Sequence, residues 1–386
     1  MQLAQKWSIF EPNREIFRLM ETYNWQKKDW PHFTYDDKLA EGEIFAFIEK
    51  SSMVSGMVRA IPEKLQQETL IDIIVSEAIK TSEIEGEFLS REDVISSVRK
   101  NLGLTPSGAV KDKRVQGVSS LMVEVRNSYS VPLSEDMLFR WHTMLMGHRK
   151  DIKSGKWRTG SEPMQVISGA AGHITVHFEA PPSEIVPFEM GKFIQWFNGS
   201  APESEREKIK APFRSALAHL WFESIHPFED GNGRIGRAIA EKALSQGIGR
   251  PLLLSLSRTI ESGRKEYYSE LGKAQHSLEI SGWIKYFART ILMAQAETES
   301  EIEFTLKKVK FFDRFKNQLN DRQFTAIRRM LEEGAKGFQG GMNARKYAGI
   351  CKVSKATATR DLQYFNSVEA LLAVGSGRST SYRVNI

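Results

Sequence analysis

The stretch HPFEDGNGRIGR, residues 226–237, is the most informative part of this 386-residue chain. Its first two glycines, Gly231 and Gly233, let the backbone turn tightly and present N–H groups to an anion. The residues that follow, RIGRAIAEKAL, have the pattern of a helix, and a helix N-terminus favours negative charge. The stretch therefore predicts a phosphate-binding loop at the start of a helix.

Charged side chains complete this loop. Asp230 is a carboxylate of the kind that binds magnesium. Arg234 and Arg237 are three residues apart, so both guanidinium groups can reach one phosphate chain. His226 precedes the loop, where an imidazole can accept a proton. A Gly-Asn-Gly turn alone would be an ordinary connection between helices, and only the full arrangement indicates chemistry.

The twelve residues match every specified position of HPFxDGNGRxxR, the signature of the Fic family, which the chain therefore resembles. Fic proteins are mostly helical and transfer AMP from ATP to a hydroxyl group of a target protein. The resemblance implies that His226 is the general base that deprotonates a Ser, Thr or Tyr hydroxyl. It implies that Asp230 holds Mg²⁺, that Arg234 binds the β-phosphate and that Arg237 binds the γ-phosphate. The other residues that it assigns to the nucleotide site are Gly231, Asn232, Gly233, Ile235 and Gly236.

Two further segments extend the resemblance. The alternating, β-branched runs MQVISG and HITVHFEA predict a β-hairpin at about 164–180. It resembles the Fic flap, which pairs with a segment of the target protein as an added strand. Ser168 and Gly169 fall where flap residues of the family approach the nucleotide. RKEYYSELGKAQ, residues 264–275, resembles the helix that borders the adenine pocket, although its tyrosines equally suit plain helix packing. The residues that would lie nearest the base or ribose are Tyr267, Tyr268 and Gln275.

Residues 81–86, Thr-Ser-Glu-Ile-Glu-Gly, end another predicted helix. Alone, they are an acidic helix end with a glycine cap. Beside the motif they resemble the inhibitory helix of the family, [S/T]xxxE[G/N], matched by Thr81, Glu85 and Gly86. The resemblance implies that Glu85 pairs with Arg237, so that the γ-phosphate of ATP loses its clamp and the α-phosphate is held unsuitably for attack. Some relatives use this glutamate to position water for AMP removal, so both roles remain open.

The basic charge of the chain is concentrated at its C-terminus. The whole sequence has a formal net charge of +6, but residues 306–386 hold sixteen Lys or Arg and six Asp or Glu, a net +10. This asymmetry indicates a separate module with a polyanionic or acidic partner, or a lysine-rich solvated surface. Residues 321–386 resemble a winged helix, which would bind DNA or serve protein docking or dimerisation. Its exposed polar residues would be Lys355, Thr357, Thr359 and Arg360 on the second helix, with Arg378 and Arg383 in the wing.

Composition sets the remaining limits. With 41% hydrophobic and 26% charged residues the chain is globular rather than disordered. It has no run of about 18 apolar residues, which excludes a membrane span, and no apolar leader at its N-terminus. Cys351 is the single cysteine, so an internal disulfide and a CxxC-type zinc site are excluded, and a cytoplasmic setting is predicted.

The predicted fold is mainly α, a Fic-type helical bundle with a β-hairpin flap and a C-terminal winged-helix-like domain. The periodicity also predicts one helix over 262–276 and a link over 306–318. The predicted domains are an N-terminal helical cap (1–60), an inhibitory helix region (61–110), the Fic core (111–305) and the C-terminal domain (306–386).

The leading functional hypothesis is a self-inhibited protein adenylylyltransferase that uses ATP and Mg²⁺. One alternative is a DNA-binding regulator whose Fic core senses nucleotide, which the intact His226 and Asp230 disfavour. The other is a Fic enzyme that removes AMP or transfers a different nucleotide or phosphate-containing group. The sequence leaves the target protein and the oligomeric state open, with a homodimer as one compatible arrangement.

Overall fold

The computed structural model describes residues 22–104, 110–168, 175–202, 210–332, 334, 337–375, 377 and 380–386. Within these ranges the chain is mainly helical, as expected from its sequence. The helices are α1 (Glu41–Ala60), α2 (Glu63–Ile84), α3 (Arg91–Asn101), α4 (Lys113–Asn127), α5 (Glu135–Met146), α6 (Val186–Gly199), α7 (Ala211–Ile225), α8 (Asn232–Ile248), α9 (Leu256–Ser262), α10 (Arg264–Ala274), α11 (Ser281–Phe315), α12 (Asp321–Leu331), α13 (Ala344–Cys351) and α14 (Lys355–Ser367). The strands are β1 (Gln165–Ser168), β2 (Thr175–Glu179), β3 (Leu371–Val374) and β4 (Ser381–Val384).

Short polar side chains begin many of these helices. Each accepts a hydrogen bond from a backbone N–H of the first turn, which would otherwise have no partner within the helix. The residues that cap helices in this way are Ser90, Asp112, Ser134, Ser255, Asn320, Asn343 and Ser354.

The pair α7 and α8 forms the centre of the molecule. Every residue of α7 from Pro212 to Ile225 is buried, as expected of a helix that is surrounded by other elements. Phe222 packs on one side into the core that α2 to α6 share, and Leu217 packs on the other side into a core with α9, α10 and α11. The loop between α7 and α8 is the glycine-rich motif, so the motif is held by the most buried helix of the fold.

Residues that precede α1 tie distant elements together. The side-chain amide of Asn24 donates to Ser224 Oγ at 2.8 Å, and its backbone N–H donates to the Gln275 carbonyl at 2.7 Å. The indole N–H of Trp25 donates to the carbonyl of Glu179, at the end of β2, at 2.7 Å. This N-terminal segment therefore joins the flap, α7 and the end of α10.

The flap is an antiparallel pair of strands, β1 and β2, which confirms the predicted hairpin. Phe178 is buried, whereas Val176, two residues earlier in β2, is 43% exposed. The register shifts between Val166 and Ile167, which marks a bulge. A bulge changes the direction of the side chains along a strand, which explains why Val176 and Phe178 differ in exposure.

The segment that joins the C-terminal part to the rest of the chain differs from the prediction. Residues 306–318, expected as a link, mostly continue α11, which runs unbroken for 35 residues. The reason is that apolar residues stay at helical spacing: Phe311 and Phe315 enter a third core with α12, α13, α14 and β3. The predicted helix over 262–276 corresponds to α10, and Gly263 separates it from α9, a short helix that the periodicity did not predict.

Asp361 is a buried carboxylate in the C-terminal core. Asp361 on α14 accepts hydrogen bonds from Arg322 Nε at 2.9 Å and from the Tyr347 hydroxyl at 2.7 Å. These bonds hold α12, α13 and α14 together. Burial raises the pKa of Asp361, but the hydrogen bonds from Arg322 and Tyr347 outweigh it and keep that pKa below its usual value. Arg378, predicted in the wing, lies outside the described residues.

No helix in the described part of the chain is both long enough and apolar enough to span a bilayer.

The contact between α4 and α5 provides a test of the packing. A Cβ added to Gly117 would lie 2.2 Å from the Met144 carbonyl oxygen, so the helices would have to separate. We expect Gly117→Ala to lower the free energy of unfolding by about 1–3 kcal/mol. Gly191→Ala, in an exposed part of α6 where a Cβ meets nothing within 4 Å, should stabilise by up to about 1 kcal/mol. Thermal unfolding followed by circular dichroism measures both, and equal shifts for the two variants would contradict the close approach.

Candidate active site

His226 is held in an unusual backbone conformation. It follows the last residue of α7 with φ 50° and ψ 60°, in the left-handed region that few non-glycine residues adopt. Arg158 holds the chain there, because its Nε donates to the His226 carbonyl at 2.8 Å and its backbone N–H donates to the Pro227 carbonyl at 2.8 Å. Strain of this kind persists only where the surroundings enforce it, and it is typical of functional sites.

The imidazole of His226 is neutral at pH 7. Burial and, to a smaller extent, the positive charge of Arg158 together lower its pKa to about 4. Its Nδ1 lies 3.7 Å from Glu223 Oε2, and the side chain remains 18% exposed. A neutral, partly accessible imidazole can accept a proton from a ligand.

Residues inside and outside the motif fix the loop. Asn232 closes it, since its Oδ1 accepts from the Phe228 N–H at 2.9 Å and its Nδ2 donates to the Phe228 carbonyl at 2.8 Å. Phe228 stacks on His142 at 4.0 Å between ring centroids. His142 accepts from the Gly155 N–H at Nδ1, so Nε2 carries the proton and donates to the Asp230 carbonyl at 3.2 Å. Burial lowers the pKa of His142 to about 4, which keeps this ring neutral.

The glycines of the motif permit close approaches. Gly231 has φ 83°, which turns the chain into α8. A Cβ at Gly233 would lie 2.2 Å from Glu85 Oε1, and a Cβ at Gly236 would lie 2.2 Å from Glu223 Oε1. A side chain at either position would therefore have to displace one of these carboxylates. Ile235, between them, is fully buried in the core.

Arg237 donates three hydrogen bonds to residues at the end of α2. Its Nη2 donates to Glu85 Oε1 at 2.7 Å and to the Thr81 carbonyl at 2.9 Å, and its Nε donates to Thr81 Oγ1 at 2.8 Å. Burial disfavours the ionised form of Glu85, but Arg237 outweighs it and holds the pKa of Glu85 below its usual value. The structure therefore brings together Thr81, Glu85 and Arg237, three of the residues singled out in the sequence.

Arg234 also has a carboxylate partner. Its Nη1 donates to Glu87 Oε2 at 2.7 Å, and its side chain is only 4% exposed. The sequence reasoning missed Glu87, which follows the inhibitory pattern by one position, and it missed Arg158 and His142. An acidic residue just after a predicted inhibitory glutamate was the available signal for Glu87.

Asp230 is suited to a magnesium ion. Its side chain is 43% exposed and lies 3.4 Å from Arg149 Nη1, while its Oδ1 accepts from the Gly231 N–H at 2.6 Å. Among the described residues, no group of three or more His, Cys, Asp or Glu could hold a metal by itself. One accessible carboxylate next to a phosphate site matches the usual binding of Mg²⁺, which takes its other ligands from phosphates and water.

The residues predicted near the base or ribose are placed differently from one another. Tyr267 is 1% exposed, and its hydroxyl lies 2.8 Å from Nε2 of the buried His219. Gln275 is also buried and donates to the Glu223 carbonyl at 3.3 Å. Tyr268 is 41% exposed and is the one of the three that is open to solvent. Their contact with a nucleotide remains a prediction.

The flap residues remain predictions as well. Ser168 is the last residue of β1 and pairs with Thr175. Gly169 lies outside the described residues.

Comparison with known families matches two segments. Residues 132–244 match the family described as Fic/DOC, and residues 23–104 match a domain of unknown function (DUF4172). The first segment contains α7, the whole loop and both arginines of α8. Residues 132–244 are therefore a Fic domain. The second segment contains the residues that precede α1, together with α1 and α2. The helix that ends at Glu85 therefore lies outside the Fic match.

The curated relatives of this chain are distant. The chain is 26% identical over 179 residues to a protein adenylyltransferase Fic of Nematostella vectensis, covering 46% of this chain and 36% of that protein. It is 24% identical over 210 residues to a protein adenylyltransferase Fic of Culex quinquefasciatus, covering 53% and 37%. The chain thus spans little more than a third of the length of these two relatives.

Solved structures support the fold. A Fic family protein from Desulfovibrio desulfuricans matches with a TM-score of 0.52 and 19% identity, over 92% of this chain and 98% of that chain. Fic-1 from C. elegans matches with a TM-score of 0.50 and 18% identity, over 70% and 75%.

The buried carboxyl of Glu223 provides a test of the site's electrostatics. Burial raises its pKa to about 8, so the folded protein holds a proton that the unfolded chain has released above its ordinary pKa of about 4.5. Stability should therefore fall as the pH rises from about 5 to 8, by up to about 1.4 kcal/mol per pH unit. Glu223→Gln, which mimics the protonated form, should flatten the fall in the thermal midpoint between pH 6 and 8. The exposed Glu49→Gln should leave it unchanged, and an unchanged slope in Glu223→Gln would show that Glu223 is ionised in the fold.

Proposed function

We propose that this Fic protein is a protein adenylylyltransferase, which transfers AMP from ATP to a hydroxyl side chain of a target protein and is inhibited by Glu85. The observation that carries the proposal is the bond between Glu85 and Arg237 beside an intact motif with a neutral His226. The names of the curated relatives support the same reaction. A cytoplasmic setting is part of the proposal and rests on the single cysteine of the sequence.

In the proposed reaction, His226 takes the proton of the target hydroxyl. The hydroxyl oxygen forms a bond to the α-phosphorus of ATP, and the bond from that phosphorus to the bridging oxygen of the β-phosphate breaks, so that pyrophosphate leaves. The N-terminus of α8 and the N–H groups of the loop stabilise the negative charge that develops on the α-phosphate. Arg234 and Arg237 bind the phosphates that leave. Mg²⁺ on Asp230 would neutralise phosphate charge when bound.

The flap is the proposed docking place of the target. Its strands offer backbone groups with which an extended segment can pair as an added strand. Such pairing would place a Ser, Thr or Tyr hydroxyl near His226 without requiring a particular sequence around it. Positioning of this kind, together with charge neutralisation, is the main source of rate in phosphoryl and nucleotidyl transfer.

Inhibition follows from competition for one guanidinium group. Arg237 is 1% exposed at its side chain, and Glu85 and Thr81 take three of its hydrogen bonds. A γ-phosphate could bind Arg237 fully only by displacing Glu85. A charge-assisted hydrogen bond contributes about 1.5–3 kcal/mol, which corresponds to about a ten- to a hundredfold effect on rate.

AMP removal is the second candidate reaction. The Glu85 carboxylate is held ionised by Arg237 and is 30% exposed, so it can also orient a water molecule. Incubating an AMP-modified target with the parent and with Glu85→Gly separates the two candidates. Loss of AMP that requires Glu85 would support removal as the main reaction and would contradict transfer as the main reaction.

We expect Glu85→Gly to raise AMP transfer, including modification of the protein itself, by about ten- to a hundredfold, because it frees Arg237. The measurement is a time course of labelled AMP incorporation. Glu83→Gly, which weakens the same helix but removes a carboxylate paired with Lys80, is the matched control and should not activate. Equal rates in the parent and in Glu85→Gly would refute the inhibition, and activity that survives in Glu85→Gly with His226→Ala would refute the mechanism.

We also propose that the C-terminal unit binds DNA through α14. Lys355, Thr359 and Arg360 are exposed on this helix, whose N-terminus is capped by Ser354. Together with the net charge of +10 in residues 306–386, this basic face suits a phosphate backbone.

The double variant Lys355→Glu with Arg360→Glu should weaken binding of a labelled random-sequence duplex by at least tenfold, because counterion release drives such binding. Lys307→Glu with Lys310→Glu makes the same change of charge on α11 and serves as the control. Fluorescence anisotropy at several salt concentrations measures both, and the affinity of the parent should fall steeply with salt. No binding, or equal losses in the two double variants, would favour a protein-docking role.

A further inference from the structure

A second carboxylate of the same segment occupies the other arginine of the motif. Glu87, two residues after Glu85, accepts from Arg234 Nη1 at 2.7 Å. The Arg234 side chain is 4% exposed and that of Glu87 is 24% exposed, so the pair is largely shielded from water. Both guanidinium groups that the proposed function assigns to the phosphate chain are therefore bound to carboxylates of one short segment.

The end of α2 holds Glu87 in place. Gly86 has φ 79°, and its N–H donates to the Glu83 carbonyl at 3.0 Å, while the Glu87 N–H donates to the Ser82 carbonyl at 2.9 Å. These two bonds around a left-handed glycine form a Schellman-type helix end. The turn places the carboxylates of residues 85 and 87 opposite two guanidiniums that are three residues apart on α8. Glu87 is thus part of the helix end rather than of a free loop.

Other acidic groups also face Arg234. Asp230 Oδ1 lies 3.8 Å from Nη2 of Arg234. Arg234 also lowers the pKa of Glu85, although burial, which raises that pKa, and Arg237, which lowers it, both have larger effects. With Glu87 bound, the positive charge of Arg234 is already balanced. A β-phosphate brought to this guanidinium would meet the carboxylate of Glu87 at hydrogen-bonding distance from the same atom. Like charges at such a distance repel, most strongly where water is excluded.

We propose that Glu87 is a specificity-determining residue of the nucleotide site. By binding Arg234 it excludes a β-phosphate, as Glu85 excludes a γ-phosphate at Arg237. The resting site then prefers a nucleoside monophosphate, free or attached to a protein hydroxyl, to a nucleoside di- or triphosphate. This inference rests on the phosphate positions of the proposed function, but not on the direction of the reaction.

Ligands with one, two or three phosphates distinguish the effect of Glu87 from that of Glu85. Replacing Glu87 by Gln keeps the size of the side chain and removes its charge, so ligands with a β-phosphate should bind more tightly. Replacing Glu85 by Gln should help only ligands with a γ-phosphate. Neither change should alter binding of AMP, which reaches neither arginine in the proposed arrangement.

The experiment is isothermal titration calorimetry of the full chain with AMP and with the α,β-methylene analogues of ADP and ATP, which cannot release AMP. Magnesium is kept at one concentration throughout. Glu87→Gln should bind both analogues about ten- to a hundredfold more tightly than the parent, with AMP changed by less than about threefold. Glu85→Gln should gain only for the triphosphate. Glu92→Gln, an exposed carboxylate in the first turn of α3, is the matched control.

Two results would overturn the proposal: no gain for the diphosphate in Glu87→Gln, or an equal gain for AMP, which would indicate general charge repulsion. If Glu87→Gln does not fold, as judged by its thermal midpoint, Glu87→Asp takes its place. It keeps the charge but shortens the reach to Arg234, so a smaller gain for the diphosphate is expected and its absence refutes the proposal. Because binding is measured without transfer, a failure of the proposed AMP transfer would leave this result intact. Activation by Glu85→Gly without any effect of Glu87→Gln would refute only the role of Glu87.

Discussion

A guanidinium group that is removed from water needs partners, and in this protein Arg237 is such a group. Its side chain is 1% exposed at the centre of the fold, and it finds a carboxylate, a hydroxyl and a carbonyl, all at the end of α2. An unpaired buried charge would be strongly destabilising, whereas one held by several hydrogen bonds is tolerated. The docking of α2 on α8 is therefore a condition of the folded state as well as an obstacle to a ligand. A ligand that takes Arg237 must offer as much negative charge as it displaces.

The same principle explains how the loop is held. Its backbone carbonyls are bound by side chains from other elements, Arg158 at His226 and His142 at Asp230. Burial removes charge from His142 and His226 at neutral pH, so the loop is surrounded by neutral imidazoles and by guanidiniums that already have partners. The reactive groups are thus only partly open to water, and electrostatic contacts are stronger where water is excluded.

Much of this arrangement could be predicted from the sequence, because the motif is local. The loop, the helix behind it and the flap depend on glycines, helical spacing and alternation over a dozen residues. The pair of Glu85 with Arg237 was predicted only from resemblance, since no local pattern says that two residues 152 positions apart meet. Arg158 and Glu87 could not be found in this way, because their roles depend on which carbonyl or guanidinium the fold brings near. The sequence also could not predict that Tyr267 is buried, because a tyrosine at helical spacing gives the same pattern whether it faces a ligand or the core.

The ties made by the segment before α1 have a consequence for how the molecule can form. Asn24 is bonded to Ser224, and Thr34 to Leu278 and Ile280, contacts between residues 200 to more than 240 positions apart. Contacts between parts so distant in sequence close late, because the entropy of the long intervening loop must first be overcome. A ribosome has to release residues beyond 280 before the first residues of the domain can take their places beside α7. Residues 132–244, the stretch that matches the Fic family, therefore lack part of both cores around α7, because α2, α9 and α11 supply buried residues from either side of it.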